Sequence, residues 1–216
     1  MSHLIPQLII IGLGASISPI AVMVLIAVMA HKNAGKNSLS FILGYTATLI
    51  AIGIAGVSVF HASSTKASKT HGYIDLLLGI ICFALIIYNV SKKGDKKETK
   101  KIKEDINPLK AITLGSICMF SNPSTYVIYI SGLHTIGAAK LKVSDSLLSL
   151  SLLTLVTLIT LIAPVFVYFA FPRKSEKMLD SFRKWLLRHK KIIGIAVLVL
   201  IGSYLSIKGI STIFFG

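Results

Sequence analysis

Six stretches of this 216-residue chain are each apolar over about the length of a membrane-crossing helix, and no other feature constrains its fold as strongly. A hydrocarbon core about 30 Å thick needs about 20 helical residues at roughly 1.5 Å of rise each. The stretches are 4–30, 39–60, 73–90, 111–137, 147–171 and 192–215. Lipid offers backbone amides no partner, so runs of this kind must form helices. Only 14% of the residues are charged, against about 25% in ordinary soluble domains, and the mean hydropathy is +0.78. Such a composition excludes a disordered chain. It also excludes a soluble enzyme, which would lack polar surface to cover so much apolar interior. Two cysteines are too few for a disulfide scaffold. The first stretch lacks the basic leader of a signal peptide and is expected to remain as a span. The expected fold is an all-α polytopic membrane protein with six transmembrane helices.

The basic residues alternate with the spans. Of 23 Lys and Arg, 18 fall in the connections after the first, third and fifth stretches. Short basic loops stay on the cytoplasmic side, which puts both termini outside a cell membrane. The net charge of +15 is then an anchor for anionic membrane lipid, and nucleic acid is not an expected partner. Residues 92–107 carry hardly an apolar side chain and are expected to be a flexible linker. In 174–189, Met178, Leu179, Phe182, Trp185 and Leu186 recur at helical spacing among basic residues. This pattern predicts a short helix in the cytoplasmic interface, with Trp185 at headgroup level. The organisation expected is a first three-helix unit over 1–91, a basic linker over 92–110, and a second unit over 111–216 with the interfacial helix near 175–189.

Three prolines lie inside spans: Pro19, Pro123 and Pro164. A proline has no amide hydrogen, so Pro19 deprives the Ala15 carbonyl of its helical donor and Pro123 does the same to Met119. Both sit in the first span of a three-span half, and both follow a small polar residue, Ser18 or Asn122. Three spans per half force the second to enter from the opposite side. Two inverted three-helix repeats with broken first and fourth helices follow, an architecture common among transporters. The plainer reading is that proline and glycine merely permit close packing.

The Gly-Leu-Gly-Ala-Ser-Ile-Ser-Pro-Ile segment at 12–20 and the Phe-Ser-Asn-Pro-Ser segment at 120–124 resemble the lysine-exporter superfamily. Within it the chain is most similar to the GAP, or sulfolipid-addressing, branch, including the stretch from Phe182 through Trp185 and His189 to the last helix. The resemblance implies six helices in two inverted repeats, with Ser18-Pro19 and Asn122-Pro123 as the paired proline motifs. It also implies export, in this branch of glycolipid toward the cell surface. Ser124 stands where the branch often has a lysine.

The candidate substrate-binding residues surround the breaks: Ser16, Ser18, Pro19, Ser121, Asn122, Pro123, Ser124 and Tyr126, with Thr157 from the fifth span. Asn122 leads because its amide can both donate and accept across a cavity. Thr154, Thr157 and Thr160 form a stripe that either lines a route or bonds its own helix. Asp75, Asp145 and Lys208 fall near outer span ends, so a proton mechanism through a mid-span carboxylate is disfavoured. His61, His71 and His134 read as polar residues of the outer interface. Cys82 and Cys118 lack the spacing of a thiol relay. No catalytic motif, cofactor or metal site is expected. The leading function is export of a small polar solute or amphipathic lipid by alternating access. The alternative is a non-transporting assembly or binding protein that recruits partners or anionic lipid through its basic loops. A homodimer is compatible with either.

Overall fold

Prolines set where several helices begin. In the computed structural model, which describes residues 3–63, 68–91, 106–171 and 175–215, the described residues form eight α-helices and no strand. They are α1 (Leu4–Ser16), α2 (Pro19–Met29), α3 (Ala34–Ser63), α4 (Ser68–Ser91), α5 (Pro108–Phe120), α6 (Pro123–Ala138), α7 (Val143–Ala170) and α8 (Ser175–Phe215). Pro19, Pro108 and Pro123 each occupy the first turn of a helix, where a missing amide hydrogen costs nothing. Asn107 caps α5 by accepting from the Lys110 amide at 2.8 Å. Pro164 lies within α7, which continues through it.

By length and composition α3, α4, α7 and α8 can each cross a membrane, and α1 with α2, bent by 57° at the break, is either a fifth, broken span or a re-entrant pair. The expected fourth stretch is divided: α5 has 13 residues and α6 has 16, each short of the about 20 that a crossing needs. Large apolar side chains such as Leu43, Ile87, Leu200 and Phe214 point outward, while Ser18, Asn122, Thr125 and Ser131 are buried. A soluble protein would reverse that pattern; lipid requires it. The chain is a multi-pass membrane protein.

The segment expected as a separate interfacial helix differs from its prediction. Residues 175–189 are helical but run without a break into the last span, giving α8 its 41 residues. Leu179 and Leu186 pack inward, whereas Met178, Phe182 and Trp185 are exposed. Of the linker, residues 92–105 lie outside the described residues, as does Pro172. Ile106 at its end is buried, and its carbonyl accepts from the Asn37 side chain of α3 at 2.8 Å.

Glycine permits the closest helix contacts. Antiparallel α4 and α8 meet through Gly72 opposite Gly209 and Gly79 opposite Gly202: a Cβ on Gly72 would stand 2.9 Å from the Gly209 carbonyl oxygen, and one on Gly209 would stand 2.8 Å from that of Gly72. Gly44 of α3 and Gly115 of α5 face each other's helix in the same way, and a Cβ on either would strike the partner backbone. α1 packs along α7 much as α5 packs along α3.

Candidate functional site

The two breaks meet. Ser18 and Asn122, the residues before Pro19 and Pro123, adopt nearly the same backbone conformation, φ −118° and ψ 87° in one and φ −110° and ψ 87° in the other. Proline disfavours the helical region for its predecessor, so each of these residues stands outside the helix that it precedes. The Asn122 amide donates to the Ser18 hydroxyl and, at 3.0 Å, to the Thr125 hydroxyl. Ser18 Oγ also accepts from the Ala21 amide at 3.3 Å, capping α2. The Ala15 carbonyl freed by Pro19 finds its donor in the other half of the chain, in the Thr125 hydroxyl at 3.3 Å. Thr160 of α7 donates to Ser16 Oγ at 3.1 Å, and Ser16 donates to the Leu13 carbonyl at 2.8 Å.

Of the nine residues expected at the site, Ser16, Ser18 and Asn122 are thus brought into one buried polar network, with Pro19 buried beside them. Ser121 and Pro123 are exposed, and Ser124 and Tyr126 are half-buried. Thr157 donates to the Leu153 carbonyl of its own helix at 2.8 Å. The threonine stripe therefore serves three purposes: Thr154 pairs with the Tyr129 hydroxyl at 3.0 Å, Thr157 bonds its own turn, and Thr160 reaches the break. Tyr129 also donates to the Leu49 carbonyl at 3.1 Å, tying α6 to α3.

A cavity of about 890 Å³ opens elsewhere, where the end of α2 and start of α3 face the end of α7 and start of α8. Ile26, Met29, Leu39, Phe169 and Leu179 supply apolar walls, and His31, Lys36, Asp180 and Arg183 supply charge or polarity. None of the nine expected residues lines it. Arg183 Nε is buried there with no hydrogen-bond partner among the described residues. A guanidinium nitrogen left unsatisfied beside a cavity favours an acceptor group within it. Asp180 and Arg183 of the cavity's polar lining come from the basic 174–189 segment, which the sequence marked only as an interfacial helix.

The family model of Sap, the sulfolipid-1-addressing protein, matches residues 8–211. The chain belongs to that family. No curated protein and no solved structure matches it. The match takes in both proline breaks, the cavity and all of α2 through α7 in this Sap-family chain.

Sequence reasoning missed one cluster in this Sap-family chain. His134 is not on the protein surface: it is 1% exposed and hydrogen-bonded to Asp75, itself 2% exposed. The carboxylate also contacts Lys208. His61 is exposed, as expected, and His71 is half-buried. Their separation hid the cluster, since Asp75 and His134 lie 59 residues apart on different helices. The only signal available was three ionisable residues in stretches that otherwise exclude charge. Cys82 and Cys118 are buried and unpaired.

Proposed function

We propose that this Sap-family protein moves an amphipathic lipid across the membrane by alternating access between two inverted halves. The observation that carries the reading is the cavity among α2, α3, α7 and α8. Its apolar walls suit acyl chains, and Lys36 and Arg183 suit an anionic or strongly polar headgroup. The family description names a sulfolipid, which has that chemistry. A small polar solute is the other cargo compatible with the polar interior. The resemblance of the segments at 12–20 and 120–124 to the lysine-exporter superfamily supports a transport reading.

Several features support inverted repeats. Ser18 and Asn122 share a backbone conformation and touch across the centre. The turns after α2 and α6 each hold one non-glycine residue at positive φ, Asn33 at 61° and Lys140 at 50°. The α4–α8 contact is antiparallel and reciprocal, as a two-fold axis in the membrane plane requires. On this reading α5 and α6 together form a broken fourth span, matching α1 and α2. Six spans then leave both termini on the outer face of the cell membrane and the basic connections against anionic lipid in the cytoplasm.

The break residues are bonded to one another in this conformation. Ser16, Ser18, Asn122 and Thr125 act as the closed gate, and cargo contacts them when the Asn122–Ser18 bond opens. Because Thr125 of the second half satisfies the Ala15 carbonyl freed by Pro19, and Asn122 donates to Ser18, parting the halves costs hydrogen bonds that an arriving headgroup can replace. Ser121, Ser124 and Tyr126 sit at the rim of that gate.

Proteoliposomes carrying fluorescent NBD-phosphatidylglycerol test the proposal, with dithionite quenching reporting lipid that has changed leaflet. The expected result is fast exchange with the wild-type protein and slowed exchange with Asn122→Ala and Arg183→Glu. Exchange no faster than in protein-free vesicles would refute lipid movement. Uptake of a radiolabelled amino acid without lipid exchange would assign a small solute as cargo. Retained lipid binding without movement of either would favour the assembly reading.

A further inference from the structure

A line of ionisable groups runs from one end of α4 into the interior, apart from both the gate and the cavity. His71 and Asp75 lie one turn apart on α4, His134 on α6 and Lys208 on α8. His71 Nδ1 stands 3.1 Å from His134 Nε2, and His134 Nδ1 stands 2.8 Å from Asp75 Oδ1. Asp75 Oδ2 stands 3.1 Å from Lys208 Nζ, which also donates to Thr135 Oγ1 at 3.2 Å. Phe60 of α3 covers the His134 ring edge-on, with centroids 5.2 Å apart. Tyr204 of α8 lies near enough to Asp75, and Lys140 near enough to His71, to feel their charge. The groups form a chain of hydrogen bonds, and among the described residues no cluster has the geometry to hold a metal ion.

Charge and hydrogen-bond direction constrain what this chain can do. With Asp75 ionised against Lys208, His134 Nδ1–H donates to the carboxylate and its Nε2 must accept. His71 then donates from Nδ1, which leaves His71 Nε2 as the open acceptor at the half-exposed end. A proton added to His71 Nε2 lets the Nδ1 proton pass to His134 Nε2, making a buried imidazolium beside Asp75. One proton enters, one positive charge is gained, and no other reactant is needed. Asp75 must then serve two cations, so its hold on Lys208, and thus the tie from α4 to α8, weakens.

We propose that His71, His134 and Asp75 form a one-proton site, loaded through His71, that couples proton movement to the transport cycle. The coupling rests on the transport reading above; the proton site does not. A buried carboxylate and imidazole inside a membrane are costly to keep, which argues for use rather than packing. Histidine is the side chain that changes charge near neutral pH.

Two measurements test the two halves separately. In detergent-purified, ¹⁵N-histidine-labelled protein, the His71 and His134 ring signals are followed between about pH 5 and 8. His71→Gln and His134→Gln assign them, and the half-exposed His71 is the safer of the two to replace. The expected result is that both rings change together in the wild type and that His134 stops titrating in His71→Gln. A His134 ring that keeps one state throughout, or titrates unchanged in His71→Gln, would overturn the proton site. In proteoliposomes, a gradient of about one pH unit should shift the steady-state leaflet ratio of NBD-phosphatidylglycerol by up to about tenfold if one proton moves per lipid. His71→Gln and Asp75→Asn should abolish that shift. A wild-type ratio indifferent to the gradient overturns the coupling. Wild-type protein that moves no lipid at all overturns the transport reading and the coupling with it, while the spectra still decide the proton site.

Discussion

Replacing Gly209 by alanine tests the α4–α8 contact that frames the Asp75–Lys208 ion pair. A Cβ at Gly209 would stand 2.7 Å from the Leu76 amide nitrogen and 2.8 Å from the Gly72 carbonyl oxygen. Ordinary contact begins near 3.4 Å, so the helices must part by about 0.7 Å. Both neighbours are backbone atoms held in helical hydrogen bonds, and neither can swing aside. Overpacking of this kind costs about 1–3 kcal/mol, and two rigid neighbours place Gly209→Ala in the upper half of that range. Alanine returns about 0.8–1 kcal/mol through helix propensity. Gly194→Ala isolates that return, because a Cβ there meets nothing within 4 Å. At about 2–4 °C per kcal/mol for a chain of this size, Gly209→Ala should melt about 4–12 °C below Gly194→Ala. Thermal unfolding in one detergent, followed by circular dichroism, measures the difference. Equal melting temperatures, both above the wild type, would refute the close backbone contact.

The gate makes its own predictions. Asn122→Ala removes two buried hydrogen bonds, to Ser18 and Thr125, and should lower stability by about 1–3 kcal/mol, read as a lower Tm. Thr160→Val should slow lipid exchange by breaking its bond to Ser16, whereas Thr157→Val, whose hydroxyl only bonds its own turn, should leave exchange close to wild type. Cys82 and Cys118 are buried, so a maleimide should label neither in the folded protein and both after denaturation, read by mass. Lys140 holds a left-handed conformation at φ 50°, and Lys140→Asn should raise the Tm slightly because asparagine tolerates that region better.

Hydrophobic run length placed α3, α4, α7 and the last span where the structure has them, because the cost of exposing backbone or charge to lipid is read one segment at a time. Pro19 and Pro123 announced both breaks for an equally local reason: neither has an amide hydrogen to continue a helix. Even Asn122 was singled out by chemistry alone, as the polar residue beside a break. Its pairing was not. That Thr125 would serve the Ala15 carbonyl, or that Asn122 would reach Ser18, depends on how two helices cross and rotate. Local periodicity also suggested a stop before residue 192, yet the 175–189 segment continues into α8 because its Leu179 and Leu186 find packing partners inside.

The sequence by itself determined a helical membrane protein and the positions of its breaks. Each of these follows from what a single residue or a single run costs in lipid. Only the tertiary structure decided which polar groups satisfy one another. The Asp75–His134–Lys208 cluster draws on three helices, and the cavity draws on four. Each member reads as an ordinary interfacial or loop residue until the helices around it are packed, because a hydrogen bond between distant segments depends on a geometry that neither segment contains.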